Sequence, residues 1–310
     1  RACAASALLT APALARHLIE HKDTPASLSA LLGRRLAKPL SQLLWPEALN
    51  AAIEAPESAP LEAAFAAAQA LWRSQREPIV AIVSEARQRL NGTRYKPASL
   101  QQAFGSWDRL AALAGPPPSL AGFDKLNLLS ATMLKPNQGK APPAPHPFFE
   151  HADTLLALHA AREESLELQR LQLLRELLSE GPHALRRAKR DRRVTAFDDM
   201  LFNLHQRLAA DGGADLARSL RKRFPAALID EFQDTDPLQY EIFHAIYGAR
   251  DTPLFLVGDP KQAIYSFRHA DLHTYLRARQ HATQESSLVA NQRSSRELLA
   301  ALNGLFATNP

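Results

Sequence analysis

PAALIDEFQDTDPLQYEIFHAIYGARDTPLFLVGDP occupies residues 225–260. Two short apolar runs, each opened by a proline and closed by an acid, flank a stretch whose apolar residues recur at helical spacing. Residues 225–230 and 253–259 therefore read as strands and residues 236–248 as the helix between them. Asp230 and Asp259 are separated by roughly 30 residues, the length that a parallel strand pair with its crossover helix occupies. In such sheets ligands gather at the carboxyl ends of the strands, where both acids fall.

Outward from this segment the bulk numbers describe an ordinary globular chain. It has 310 residues, 46% hydrophobic and 22% charged, enough for one large domain or two. No apolar run is long enough to span a bilayer, and the opening RACAASALLTAPALARHL lacks both an initiator Met and the order of a signal peptide. The chain reads as cytosolic and as cut from something longer. A lone cysteine, Cys3, makes no internal disulfide and argues against metal sites built from Cys and His. Charge is nearly balanced, 37 Lys+Arg against 32 Asp+Glu, but locally it is not. LRRAKRDRR (185–193) holds Arg186, Arg187, Lys189, Arg190, Arg192 and Arg193 against Asp191, and RSLRKRF (218–224) adds Arg218, Arg221, Lys222 and Arg223. Such clusters suit a polyanion, because each neutralised phosphate releases counterions; a solvated helix face is the other reading.

From residue 1 to about 115 the sequence is rich in Ala and Leu. LEAAFAAAQALW (61–72) and PIVAIVSEARQRL (78–90) read as amphipathic helices. GPPPS (115–119) and KPNQGKAPPAPHPFF (135–149) are extended loops, since proline fixes φ and removes a donor. The leucine-rich 152–180 predicts one helix broken at Gly181–Pro182, with its leucines in a core. VTAFDDMLFNLHQRLA (194–209) predicts another, capped by Thr195, with Phe197, Leu201, Leu204 and Leu208 on one face and an end at DGG (211–213).

An apolar strand followed by Asp-Glu is the form a nucleotide hydrolase uses to meet a metal-bound triphosphate. One carboxylate holds Mg²⁺, and its neighbour orients or deprotonates the attacking water. Alone, the stretch IDEF reads first as the acidic turn that commonly follows a strand. VGDPKQAIYSFRHADLHTY (257–275) adds to it an acceptor, Asp259, an amide, Gln262, two cations, Lys261 and Arg268, and two aromatics, Tyr265 and Phe267. An amide can sense a terminal phosphate, and aromatic faces can stack bases, although bare aromatics here are as readily packing residues.

LIDEFQDTDPLQY, GDPKQAIYSFRHAD and NQRSSRELLAALNGLF (291–306), in this order, resemble motifs II, III and IV of the UvrD/Rep-type superfamily 1 DNA helicases. FDDML together with RFPAALIDEFQDTDPLQYEIF resembles more closely the branch that supplies a motor subunit of exodeoxyribonuclease V. The resemblance covers roughly residues 185–306. It implies a mixed α and α/β fold: a mostly helical subdomain, residues 1–193, inserted into a RecA-like P-loop motor domain with a parallel sheet, of which residues 194–310 are part. It implies that Asp230 holds Mg²⁺, Glu231 is the base for water, Gln262 reads the γ-phosphate of ATP and Arg293 is an arginine finger. Tyr265, Phe267 and Arg268 would touch single-stranded DNA, and Gln233 with Asp234 would tie the nucleotide site to the DNA site. Implied partners are duplex ends, single strands and the other subunits of an exodeoxyribonuclease V-like complex, with no membrane.

Two positions depart from the family pattern. His269 stands where a glycine usually follows Phe-Arg, and Gln292 replaces the aromatic more common before the motif IV arginine; neither change removes a catalytic group. Nowhere does the sequence contain G-x-x-x-x-G-K-[ST], whose backbone amides and lysine cradle phosphates. The chain is thus expected to be a fragment that neither unwinds DNA nor turns over ATP by itself. Two other readings remain: a scaffold or DNA-binding subunit that has lost motor function, and a stand-alone repair helicase without a nuclease. Retention of Asp230, Glu231, Gln262 and Arg293 argues against the scaffold, which has no physical use for that set.

Overall fold

The structure is a computed structural model that describes residues 12–53, 57–249, 252–263 and 271–307. Ten α-helices, five short 3-10 helices and one parallel strand pair make up the regular structure of the described residues. They divide into two compact units, residues 1–34 with 43–185, and residues 35–42 with 186–310.

The first unit is helical: α1 (Pro12–Glu20), α2 (Pro25–Ala37), α3 (Ser58–Ala86), α4 (Pro97–Ala111) and most of α5 (Pro147–Asp191). The two amphipathic segments of the sequence join into the single helix α3, which kinks at Gln75 (φ −131°, ψ 28°). Pro78 is the cause, because its ring would strike the carbonyl four residues earlier and it has no N–H to offer that carbonyl. Trp72, Trp107 and Phe148 interlock at the centre, with ring centroids 4.8–6.0 Å apart. All three are fully buried, and the indole N–H groups are satisfied: Trp107 Nε1 donates to the Leu126 carbonyl at 3.1 Å, and Trp72 Nε1 to Asp108 Oδ1 at 3.0 Å. The connection between α4 and α5 is pinned from within. The Tyr95 hydroxyl donates to the carbonyls of Leu128 and Met133 at 3.2 and 2.7 Å, and burial pushes its pKa up to about 12. At the end of α4, Gln69 and Arg73 cap the Ala111 carbonyl at 2.9 and 2.8 Å, an acceptor that the helix leaves unpaired.

The expected break at Gly181–Pro182 does not occur; α5 runs unbroken through both residues. The single hydrogen bond lost at Pro182 is offset by packing, since Leu178 and Pro182 are both buried. Gly181 serves close approach here: a Cβ at that position would lie 3.0 Å from Leu32 Cδ1.

The second unit contains the end of α5, α6 (Phe197–Ala209), α7 (Gly213–Arg223), β1 (Ala227–Ile229), α8 (Pro237–Tyr247), β2 (Leu254–Leu256), α9 (Leu272–His281) and α10 (Arg296–Phe306). Thr195 does not cap α6. Ala196 stands at the N-cap, and the Asp199 carboxylate reaches back to its N–H at 2.9 Å while accepting from Lys189 Nζ at 2.7 Å. Partial burial pulls Asp199 upward, but these two hydrogen bonds and the charges of Lys189 and Arg186 outweigh it and hold the group below the usual carboxylate range. Leu201, Leu204 and Leu208 face the core formed by Leu238, Ile242, Ile246 and Tyr247. Phe197, the first residue of α6, does not join them and is 86% exposed.

The strand–helix–strand segment folds as read. β1 and β2 are parallel, with Ala227 opposite Leu254, Leu228 opposite Phe255 and Ile229 opposite Leu256, and α8 crosses between them. Ala227 and Leu254 pack toward α8, whereas Leu228 and Phe255 are 71% and 57% exposed on the opposite face. No helix of the described residues is long and apolar enough to cross a membrane.

Asp108 provides a test of the helical core. Arg76 donates to both of its oxygens at 2.7 and 2.9 Å and Trp72 to one. The Arg76 hydrogen bonds, aided by Trp72, hold its carboxyl below the usual range against partial burial. A depressed carboxylate stabilises the fold above its ordinary pKa, and that stability is lost as pH falls through the folded-state value. Asp108→Asn should lower stability to urea at neutral pH by up to ~1 kcal/mol, because the Arg76 and Asp108 side chains are 46% and 42% exposed, and the difference should shrink in acid. A pH-independent difference would assign the effect to packing.

Candidate functional site

The carboxyl ends of β1 and β2 are stitched together by backbone and side chain. Val257 N–H donates to the Ile229 carbonyl at 2.9 Å, and Phe232 N–H donates to the Val257 carbonyl at 2.8 Å. The chain then turns sharply, with Glu231 at φ +50°, a left-handed conformation uncommon for any residue with a Cβ other than Asn, Asp or His. Asp230 Oδ1 accepts the Glu231 N–H at 2.9 Å. The turn leaves both acids exposed and aimed away from the core.

Beneath them lies Gln233, only 2% exposed. Its Nε2 donates to Glu231 Oε2 at 2.7 Å, and its Oε1 accepts the Asp259 N–H at 3.0 Å. One buried amide therefore joins the acid after β1 to the acid after β2. Asp259 continues the chain: Oδ1 accepts the Lys261 N–H at 3.0 Å and Oδ2 accepts from Gln262 Nε2 at 3.3 Å. The Lys261 backbone bond is the main reason its carboxyl sits below the usual range. Both oxygens of Asp259 are thus engaged in the fold, whereas Asp230 Oδ2 takes no hydrogen bond among the described residues. Hard oxygen donors held this way suit Mg²⁺, which keeps most of its waters and takes one or two carboxylates. Asp230 fits that requirement better than Asp259.

Packing around this chain is aromatic. Phe232, buried at the turn, meets Tyr240 of α8 and Tyr275 of α9, each with centroids 5.9 Å away. The Tyr275 hydroxyl donates to the Gly258 carbonyl at 3.3 Å. Asp236 caps α8, accepting from Leu238 and Gln239 at 2.8 and 3.0 Å. Asp234 Oδ1 is buried without a partner among the described residues.

The structure brings Asp230, Glu231, Gln233, Asp259 and Gln262 into one hydrogen-bonded array. Arg293 is not part of it: it lies in an exposed turn whose N–H groups, its own and that of Ser294, are held by Asn291 Oδ1 at 3.0 Å, and its guanidinium contacts none of the array. Tyr265, Phe267 and Arg268, together with His269, lie outside the described residues. The sequence gives no hint that Gly258 is indispensable to the array. A Cβ there would lie 2.5 Å from Gln233 Oε1 and 3.1 Å from the amide nitrogens of Phe232 and Gln233.

The basic cluster divides by role. Arg186 stacks its guanidinium on Phe202 at 3.5 Å, Lys189 is bound to Asp199, and Arg221 donates to the Ile246 carbonyl at the end of α8. Arg187, Arg190, Arg192 and Arg193 are exposed, and their side chains have no partner among the described residues.

The parallel strand pair carries its acids at the carboxyl end, the edge at which ligands gather in α/β sheets. The UvrD/REP helicase N-terminal domain matches residues 79–283, so the chain belongs to this DNA helicase family. It is similar to the RecBCD enzyme subunit RecB of Escherichia coli, with 45% identity over 163 residues, 52% of this chain and 13% of that protein. The corresponding subunit of Haemophilus influenzae is 46% identical over 114 residues, 36% and 9%, and that of Mycolicibacterium smegmatis 40% over 137 residues, 44% and 12%. The matched stretches thus span about an eighth or less of the relatives' own length.

Gly258→Ala should destabilise the second unit by about 1–3 kcal/mol, because the added methyl meets backbone and a buried amide. Gly304→Ala, in α10 with nothing within 4 Å of its Cβ position, should be neutral or slightly stabilising. Urea titration of the two variants checks this; equal effects would mean the approach at Gly258 is not constraining.

Proposed function

We propose that the chain is part of an ATP-driven DNA translocase of the RecB type that acts in double-strand break repair, with residues 1–193 as an inserted helical subdomain and 194–310 as part of a motor domain. The observation that carries this reading is the array in which Gln233 links Glu231 after β1 to Asp259 and Gln262 after β2. Asp230 would hold Mg²⁺ of the bound nucleotide through water. Glu231, free at one oxygen, would take the proton of the attacking water. Gln262, whose amide rests on Asp259, would transfer that hydrogen bond to the terminal phosphate, so that nucleotide state is felt at the end of β2. Gln233 and Asp234 would relay it toward DNA held by Tyr265, Phe267 and Arg268. Arg293 would supply charge to the transferring phosphoryl group once its turn closes on the site. The phosphate loop that this chemistry needs would be supplied from outside this sequence. Partners would be duplex ends, single strands and the other subunits of an exodeoxyribonuclease V-like complex, in the bacterial cytoplasm at the nucleoid.

The roles are tested in the enzyme that carries this segment together with a phosphate loop. There Glu231→Gln should lower ATP turnover by about 10²–10⁴-fold while Mg-ATP binding persists; a motor-dead scaffold would show no turnover to lose.

The DNA surface is tested on the chain itself, by anisotropy of a tailed duplex across salt concentrations. Replacing Arg187, Arg190, Arg192 and Arg193 with Gln, and keeping the packed Arg186 and Lys189, should flatten the logarithmic salt dependence by up to about four. An unchanged slope would assign DNA contact to other residues.

A further inference from the structure

In the first unit, His17 in the last turn of α1 and His21, four residues on and just past its end, face Glu167 of α5. His17 Nε2 is 3.1 Å and His21 Nε2 3.8 Å from the same carboxylate oxygen, Glu167 Oε2, and the three donor atoms lie within 4.8 Å of one another. In a tetrahedral site with bonds of ~2.0–2.1 Å, ligand atoms stand ~3.3 Å apart, so little movement separates this arrangement from coordination.

The surroundings are built as a ligand shell is built. The His17 carbonyl can only accept, so the 2.9 Å contact from His21 Nδ1 fixes a proton on that nitrogen and turns Nε2 toward the carboxylate. With Nε2 unprotonated, that nitrogen and the carboxylate oxygen are two acceptors face to face, which a metal cation between them would reconcile. Glu167 is oriented from behind: Arg170 Nη1 donates to Oε1 at 2.9 Å, and Arg170 Nε donates to Asp23 at 2.5 Å, so Asp23 offsets the guanidinium charge. Burial pulls the Glu167 carboxyl upward, but the His17 hydrogen bond and Arg170 prevail and keep it below the usual range. His17 is buried, whereas the side chains of His21 and Glu167 are 42% and 37% exposed, which leaves an entry route and room for a water as fourth ligand.

We propose that His17, His21 and Glu167 form a binding site for a divalent first-row transition metal, with Zn²⁺ the ion best matched to two imidazoles, one carboxylate and a water. The metal would clip α1 to α5. Apart from these groups, the hold on α1 is a small cluster of Leu14, Leu18 and Leu166 with Ala13 and Leu173 beside it, and a nine-residue helix is too short to persist unaided. On binding, the proton that His17 Nε2 shares with Glu167 moves to Nδ1 through solvent.

The test uses untagged, chelator-treated protein. Calorimetry with Zn²⁺ should give one site per chain, Co²⁺ should develop the visible absorption of a low-coordinate ion, and Zn²⁺ should raise the thermal midpoint. His21→Ala and Glu167→Gln should each weaken Zn²⁺ binding at least ~tenfold and abolish the thermal shift, with the chelated variants still folded by circular dichroism. Cys3→Ser and His244→Ala, which remove other metal-binding groups, should change nothing. The proposal is overturned if Zn²⁺ does not bind, if binding survives His21→Ala, or if it disappears in Cys3→Ser or His244→Ala.

Discussion

The side-chain amide of Gln233 is the interaction on which the candidate site depends. A glutamine has one donor end and one acceptor end, and burial obliges both to be used. Here the donor meets Glu231 and the acceptor meets the backbone of Asp259, so the two strand ends are held by one rigid plane. That plane fits only because Gly258 presents no side chain, and it is supported from below by Phe232 against Tyr240 and Tyr275. Moving either strand end breaks a buried hydrogen bond, which makes the pair a single mechanical element.

The helical unit reaches stability by another route. Its aromatic centre of Trp72, Trp107 and Phe148 is large and well satisfied in its polar atoms. The connection from α4 to α5 is then fastened to it by single polar side chains, Gln69 and Tyr95 at residues flanking the proline-rich segments and Asn137 within one of them. A long connection with only one short 3-10 turn, Leu126–Leu129, thus becomes part of the fold.

The strand–helix–strand segment is legible because proline, period and acid coincide at both strands, and local signals there agree with the tertiary pairing. Helix ends are less legible. Gly181–Pro182 carries the signature of a stop, yet burial of Leu178 and Pro182 and the close approach of Leu32 carry α5 through it. Thr195 has cap chemistry, but Asp199 performs the task from inside the helix because Lys189 fixes its carboxylate. Among the site residues, the acids stand out by their position after apolar runs, whereas the reach of Gln233 across to Asp259 exists only once the strands pair. The charge runs show the same limit of one-dimensional reading: Arg186 and Arg187 are adjacent letters, yet one stacks on Phe202 and the other is free. His17 and His21 have helical spacing visible in the sequence, but Glu167 lies 150 residues from His17, beyond any local pattern.

The left-handed turn at Glu231 places two selective pressures in opposition at one codon. For backbone comfort the position favours glycine or asparagine, and aspartate would also be tolerated, but its carboxylate is one methylene too short to keep the contact with Gln233. Glycine or asparagine would relieve the backbone but leave the donor end of the buried Gln233 amide without its acceptor, a cost of the same order as the strain removed. One side chain is therefore costly to its own backbone and necessary to its neighbour, and a substitution that serves either demand alone fails the other.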